Sequence, residues 1–89
     1  MEVFFAIMEY FVYILISDFD SSYYVGMAKN VARRLNEHNK GKSQFTKSKI
    51  PWRIVLVEGP FETIEARRLE KYYKTTNGKN QLRKKGLID

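Results

Sequence analysis

Three side chains in the first half of the chain have the types and spacing for joint acid–base and anion chemistry: Tyr24, Arg34 and His38, the only histidine. A guanidinium offers planar, paired donors to a phosphate or carboxylate. An imidazole exchanges protons near neutral pH, and a phenol does so once its pKa is lowered. Arg34 and His38 are four residues apart and on a helix would share one stripe, while Val31 and Leu35 mark a second, apolar stripe. Arg34 and His38 are therefore expected to look out from the margin of the core-facing side, where a strand-end Tyr24 would meet them. The plainer alternatives are an arginine paired with Glu37 and a histidine favoured at a helix end by the dipole.

The elements that must position these residues follow from pattern. Tyr10 to Ser17 is β-branched and aromatic, apolar on both faces, and reads as a central strand. Asp18 to Ser22 is a turn by composition, and Ser22 to Val25 returns as an antiparallel partner that stops at Gly26. Asn30 offers an N-cap for a helix over Val31 to Asn39, ending near Gly41. Lys40 to Lys49 is a polar, basic loop, and Pro51 opens a third strand from Trp52 to Glu58, which Gly59-Pro60 breaks.

A second helix runs from Thr63, as N-cap, to Lys74, with Ala66, Leu69 and Tyr73 on its core stripe and Glu70 at the edge. Thr75 to Gly78 ends that helix, and Asn80 to Lys85 is a short basic helix or tail anchored by Leu82. This order predicts an α+β domain, a small three-stranded mixed or antiparallel sheet flanked by helices. Residues 1–9 read as an N-terminal extension, strand-like over 1–7 with Met8 itself a candidate start, and 10–89 as a single domain.

Composition narrows the classes. A chain of 89 residues has room for one small core, and its six Phe, six Tyr and single Trp make that core aromatic. The absence of cysteine excludes disulfides and thiolate metal sites. No signal peptide or membrane-length apolar segment stands out, which predicts a soluble protein in an intracellular, cytoplasmic setting. The net charge of +6 is uneven: residues 27–53 set eight bases against Glu37, and residues 71–89 set six against Asp89. Two basic blocks suit a polyanion, although solvated lysines also serve solubility alone.

Taken in order, these residues resemble the GIY-YIG nucleases. Phe11-Val12-Tyr13 stands where that family has Gly-Ile-Tyr, and ten residues then lead to Tyr24-Val25-Gly26, which matches Tyr-Ile-Gly. Residues 28–35, Ala-Lys-Asn-Val-Ala-Arg-Arg-Leu, are similar to the following helix of excision-repair members. Arg34 matches the family arginine and His38 the His or Tyr one turn beyond it. Glu65-Ala66-Arg67-Arg68-Leu69-Glu70 looks like the segment that ends in the metal-binding glutamate. The sequence departs from the pattern at Phe11, which replaces a glycine, and at Met27, where a lysine is frequent. Asn77 and Asn80 both compete for the asparagine that follows the glutamate.

The resemblance implies a Mg²⁺- or Mn²⁺-dependent endonuclease that hydrolyses phosphodiester bonds in DNA, structure-directed or weakly specific, in repair or recombination. RNA stays open as a substrate, and a catalytically inactive nucleic-acid-binding module on the same scaffold is the alternative. The implied catalytic set is Tyr13, Tyr24, Arg34, His38 and Glu70, with Glu70 the metal ligand and Arg34 the phosphate clamp. Either Tyr24 or His38 takes the proton of the attacking water. Lowering a tyrosine by three pKa units takes roughly 4 kcal/mol, whereas an unperturbed histidine titrates near 6.5, so the reading is Tyr24 in line with the water and His38 relaying. Lys29, Arg33, Lys47, Lys49 and Lys74 are generic phosphate contacts. No added recognition domain is visible, so sequence-specific cutting would need a homodimer or a partner protein.

Overall fold

A computed structural model describes residues 7–89. The strand-like reading of residues 1–7 therefore lies almost wholly outside the described residues. Strands β1 (Tyr10–Ser17) and β2 (Tyr23–Ala28) lead into helix α1 (Val31–Asn39), and strand β3 (Trp52–Phe61) is followed by helices α2 (Thr63–Tyr73) and α3 (Thr76–Lys84). The continuous apolar run of β1 takes the centre of the sheet, in the order β2-β1-β3, with both neighbours antiparallel.

Side-chain alternation along β1 divides the interior in two. Val12 and Ile14 point to one face, where Val25, Ala66, Tyr73 and Leu82 join them beneath α2 and α3. Tyr13 and Leu15 point to the other and meet Trp52, with Val31 and Leu35 of α1 packed on top. Each fully buried side chain of this kind contributes about 1.5–3 kcal/mol, so both faces are real cores. The β1–β2 turn is held by Ser17, whose hydroxyl accepts from the Phe19 and Asp20 amides and donates to the Lys49 carbonyl (2.6 Å).

Four boundaries differ from expectation. Gly26 does not end β2, which continues to Ala28. Its register partner is Tyr13, and a Cβ on Gly26 would lie 2.4 Å from that phenol ring and hydroxyl. The glycine leaves a gap that the cross-strand tyrosine fills.

Gly59-Pro60 does not break β3 either. Tyr10 pairs with Phe61 and Val12 with Glu58, so two residues of β3 oppose Phe11 in a bulge. Gly59, at φ 131°, brings its backbone against the Tyr10 carbonyl, where a Cβ would sit 2.8 Å away. Glu62, with extended backbone, occupies the N-cap of α2 in place of Thr63. Finally, Thr75 opens α3 instead of closing α2: its hydroxyl accepts from the Gly78 amide (3.1 Å) and donates to the Tyr72 carbonyl. Gly78 lies inside α3 because the end of α2 approaches so closely that any Cβ there would meet Tyr72 backbone.

Candidate functional site

Tyr13 on β1, Tyr24 on β2 and His38 on α1 come together on the α1 face of the sheet. Asn30 makes this possible by accepting the Arg33 amide (3.0 Å), which starts α1 where Arg34 and His38 can reach the strands. The Tyr24 ring centroid is 4.9 Å from that of His38, edge to face, and the Tyr13 and Tyr24 centroids are 6.3 Å apart. The Tyr13 hydroxyl is 3.1 Å from His38 Nε2, and His38 Nδ1 is 2.7 Å from Thr46 Oγ1.

One expectation is overturned here. His38 does not look out from a margin; it is completely buried, as is Thr46. The reason is the loop after α1, which folds back over the helix end. Trp52 donates its indole N–H to the Thr46 carbonyl (2.9 Å), and the Asn39 amide brackets the Trp52 backbone (2.7 and 3.0 Å). Thr46 and Trp52 are partners of the cluster that the sequence pattern missed. The available signal was that a buried tryptophan needs an acceptor for its N–H; nothing in the loop pointed to Thr46.

Electrostatics assign states to these groups. Burial, then the positive charge of Arg34, lower the His38 pKa against a weaker opposing effect of Glu37, so the ring is neutral at pH 7. Burial foremost, then Tyr24, push the Tyr13 phenol well above the ordinary tyrosine range, while the charge and hydrogen bonding of Arg34 pull the other way. Tyr13 therefore carries its proton at neutral pH. A neutral imidazole has one donor and one acceptor. One ring nitrogen of His38 therefore donates and the other accepts, with the Tyr13 and Thr46 hydroxyls taking the complementary roles. For Arg34 itself burial works against the charge, but Tyr13, Glu37 and Tyr24 outweigh it and its pKa ends above the usual value.

Arg34 also pairs with Glu37 (3.3 Å), and its side chain is 35% exposed. Tyr24 is half-buried and is the phenol of the pair with a solvent-facing edge. Glu70 stands apart. It lies on α2, a helix of the opposite face, and its only ion pair among the described residues is a loose one with Lys74 at 3.8 Å. Its charge nevertheless adds to the rise in the Tyr13 pKa, as the smallest of five influences. Direct contact thus joins Tyr13, Tyr24 and His38, and the charges of Arg34 and Glu70 act on that cluster.

Among the described residues no three His, Asp or Glu side chains gather into a metal cage. A lone carboxylate still suits a hard cation that retains its water ligands. Of the generic cations, Lys29 pairs with Glu9 (3.2 Å), Arg33 with Glu37 (3.9 Å) and Lys49 with Asp20 (3.2 Å). Lys47 has no ion pair among the described residues. A recess of about 590 Å³ between α2 and α3, lined by Asn77, Asn80 and Tyr72 among others, shares no residue with the tyrosine–histidine cluster. Volume is not the guide to chemistry here.

The model of the GIY-YIG catalytic domain matches residues 9–84. The chain belongs to the GIY-YIG family. The two tyrosines of the cluster are those of the Phe-Val-Tyr and Tyr-Val-Gly segments, and the Gly26 gap under Tyr13 gives the second motif a packing reason. Among curated relatives, a UPF0213 protein of Listeria welshimeri is 39% identical over 75 residues, covering 82% of this chain and 81% of its own length. A UPF0213 protein of Bacillus licheniformis is 34% identical over 65 residues, covering 72% and 67%. One of Bacillus cereus is 32% identical over 63 residues, covering 70% and 66%. No solved structure matches. No helix among the described residues is long and apolar enough to cross a membrane.

Proposed function

We propose that this GIY-YIG domain is a metal-dependent endonuclease that hydrolyses phosphodiester bonds in DNA, structure-directed or weakly specific, in repair or recombination. The observation that carries the reading is the pairing of a charged, solvent-facing Arg34 and a half-exposed Tyr24 with a buried, fully hydrogen-bonded Tyr13–His38–Thr46 chain. Such an arrangement fixes donors before substrate arrives, which is where most electrostatic catalysis originates.

Arg34 engages the non-bridging oxygens of the scissile phosphate and offsets the charge that develops there. To do so it exchanges Glu37, a half-buried surface partner, for the substrate. Tyr24 orients the attacking water. His38, sealed from solvent, receives a proton only by way of the Tyr13 hydroxyl, so it acts as an interior relay and as the post that holds both phenols in place. Glu70 would hold Mg²⁺ or Mn²⁺, displacing the loose Lys74 contact. That ion, when bound, supplies Lewis-acid stabilisation of phosphate and leaving-group oxygens. Lys29, Arg33, Lys47, Lys49 and Lys74 contribute non-specific backbone affinity.

The Arg34–Glu37 and Glu70–Lys74 pairs favour a second reading, a module that binds nucleic acid without cutting it. Incubation of the purified protein with branched, nicked and plain duplex DNA, and with RNA, in Mg²⁺ or Mn²⁺ separates the two. Cleavage of a DNA substrate that Glu70→Ala and Arg34→Ala abolish is the expected result. Salt-sensitive binding with every substrate intact, or cleavage indifferent to Glu70→Ala, overturns the nuclease reading.

A further inference from the structure

Phe11 stands where the first motif of the family carries glycine, and the structure shows what this aromatic is given to do. It lies on the same face of β1 as Tyr13, two residues and therefore about 7 Å away along the strand. Across from it stand Ala28 on β2 and, in the β3 bulge, Pro60 and the side-chain-free Gly59. Gly59 lets the two strands close on the phenyl ring, where a Cβ would lie 3.1 Å from Phe11 Cδ1. The ring is consequently clamped at its root and half-buried, with one side on the recess. Around it opens a recess of about 330 Å³ lined by Phe11, Val31, Val57, Lys29 and Asn30, at the small end of ligand recesses, about 300–1,000 Å³.

The chemistry of that lining is specific. An aromatic and two valines make an apolar wall, and Val57, the register partner of Tyr13, is 43% exposed. Lys29 lines one rim, its ammonium in a weak exposed pair with Glu9 and 5.5 Å from the Tyr10 ring centroid. The Asn30 side-chain oxygen is spent on capping α1, so its amide N–H₂ is left as a donor. A flat apolar surface, a donor and a cation together fit a nucleobase with its phosphate, the combination by which single strands are held.

The geometry points to a nucleobase subsite at Phe11. An unpaired base next to the scissile phosphate stacks on the phenyl ring, with Lys29 at the adjoining phosphate and Asn30 at the base edge. This rests on the nuclease reading for its position in the substrate, since continuity with Tyr13 along one strand face is what places it one nucleotide from the reaction. It makes Phe11 a specificity residue that favours substrates with an unstacked nucleotide at the cut.

Binding without turnover tests it. In EDTA, the affinities of a fluorescent oligothymidylate and of a wholly abasic strand of the same length and charge are compared by anisotropy for wild type, Phe11→Ala and Phe11→Trp, with thermal melts confirming that each variant is folded. The expected result is that wild type prefers the strand with bases roughly tenfold, within the range of one base–aromatic stack. Phe11→Ala loses that preference without losing affinity for the abasic strand, and Phe11→Trp keeps it. An equal preference in wild type and Phe11→Ala, no preference in wild type, or a failure to bind either strand overturns the subsite. Retained preference in a protein that cuts nothing removes the nuclease reading and leaves the stacking site standing.

Discussion

The two faces of the sheet are built from different material. Beneath α2 and α3 the interior is aliphatic and aromatic, and its polar exception is Tyr73, whose hydroxyl donates to Glu58. Beneath α1 the interior is threaded by hydrogen bonds: Tyr13 to His38, His38 to Thr46, and Trp52 to the Thr46 carbonyl. Apolar burial is non-directional and fixes how much is packed, whereas a satisfied polar chain fixes which atom points where. The α2–α3 face therefore supplies stability that tolerates adjustment. The α1 face supplies orientation, and Tyr24 and Arg34 stand on its surface.

Mutations on the two faces should separate accordingly. The largest effect is Arg34→Ala, which should lower DNA cleavage by about 10²–10³-fold while leaving the melting temperature nearly unchanged; a small loss of activity would mean that the α1 face does not orient a phosphate donor. Leu82→Ala, fully buried on the other face, should cost about 2–5 kcal/mol in urea unfolding yet leave turnover per folded molecule intact. Lost turnover in that variant would erase the distinction between the faces. Gly26→Ala combines the two effects. Its Cβ must displace the Tyr13 ring, at about 1–3 kcal/mol for overpacking, and cleavage should fall because the Tyr13–His38 bond is lost.

Acidity sharpens the comparison further. The folded pKa of His38 lies below its unfolded value near 6.5, so the unfolded chain binds the proton more readily. Stability should thus decline as pH falls below about 6.5, and the penalty stops growing below the folded pKa. Urea melts at pH 7.5 and 5.0 avoid most carboxylate titration, and His38→Gln should flatten the difference between them. An unchanged difference would show that His38 is not the group responsible. The smallest effect is expected from Lys47→Ala, which should reduce the slope of log affinity against log salt by about 1 or less, without altering cleavage chemistry at matched occupancy.

The elements were legible where a pattern was unopposed. The apolar run of β1 and the cap at Asn30 predict β1 and α1 as they stand. Glycine and proline misled wherever they serve packing instead of turning: Gly26 makes room for Tyr13, Gly59 for a bulge, and Gly78 for the approach of two helices. Sequence spacing placed Arg34 beside His38 but not the burial of His38. Burial depends on Thr46 and Trp52 closing over it from a loop without periodicity. Nor could spacing reveal that α2, which carries Glu70, packs its core stripe on the opposite face from α1.

The bulge at Gly59-Pro60 has one more consequence. β3 is an edge strand of ten residues whose outer side has no partner among the described residues, and such edges recruit other chains. Pro60 has no N–H to offer, and the bulge turns the backbone out of line just before it. A second copy laid along this edge could zip only as far as Glu58 before its ladder failed. The irregularity that clamps Phe11 on the inner side thus limits self-association on the outer one.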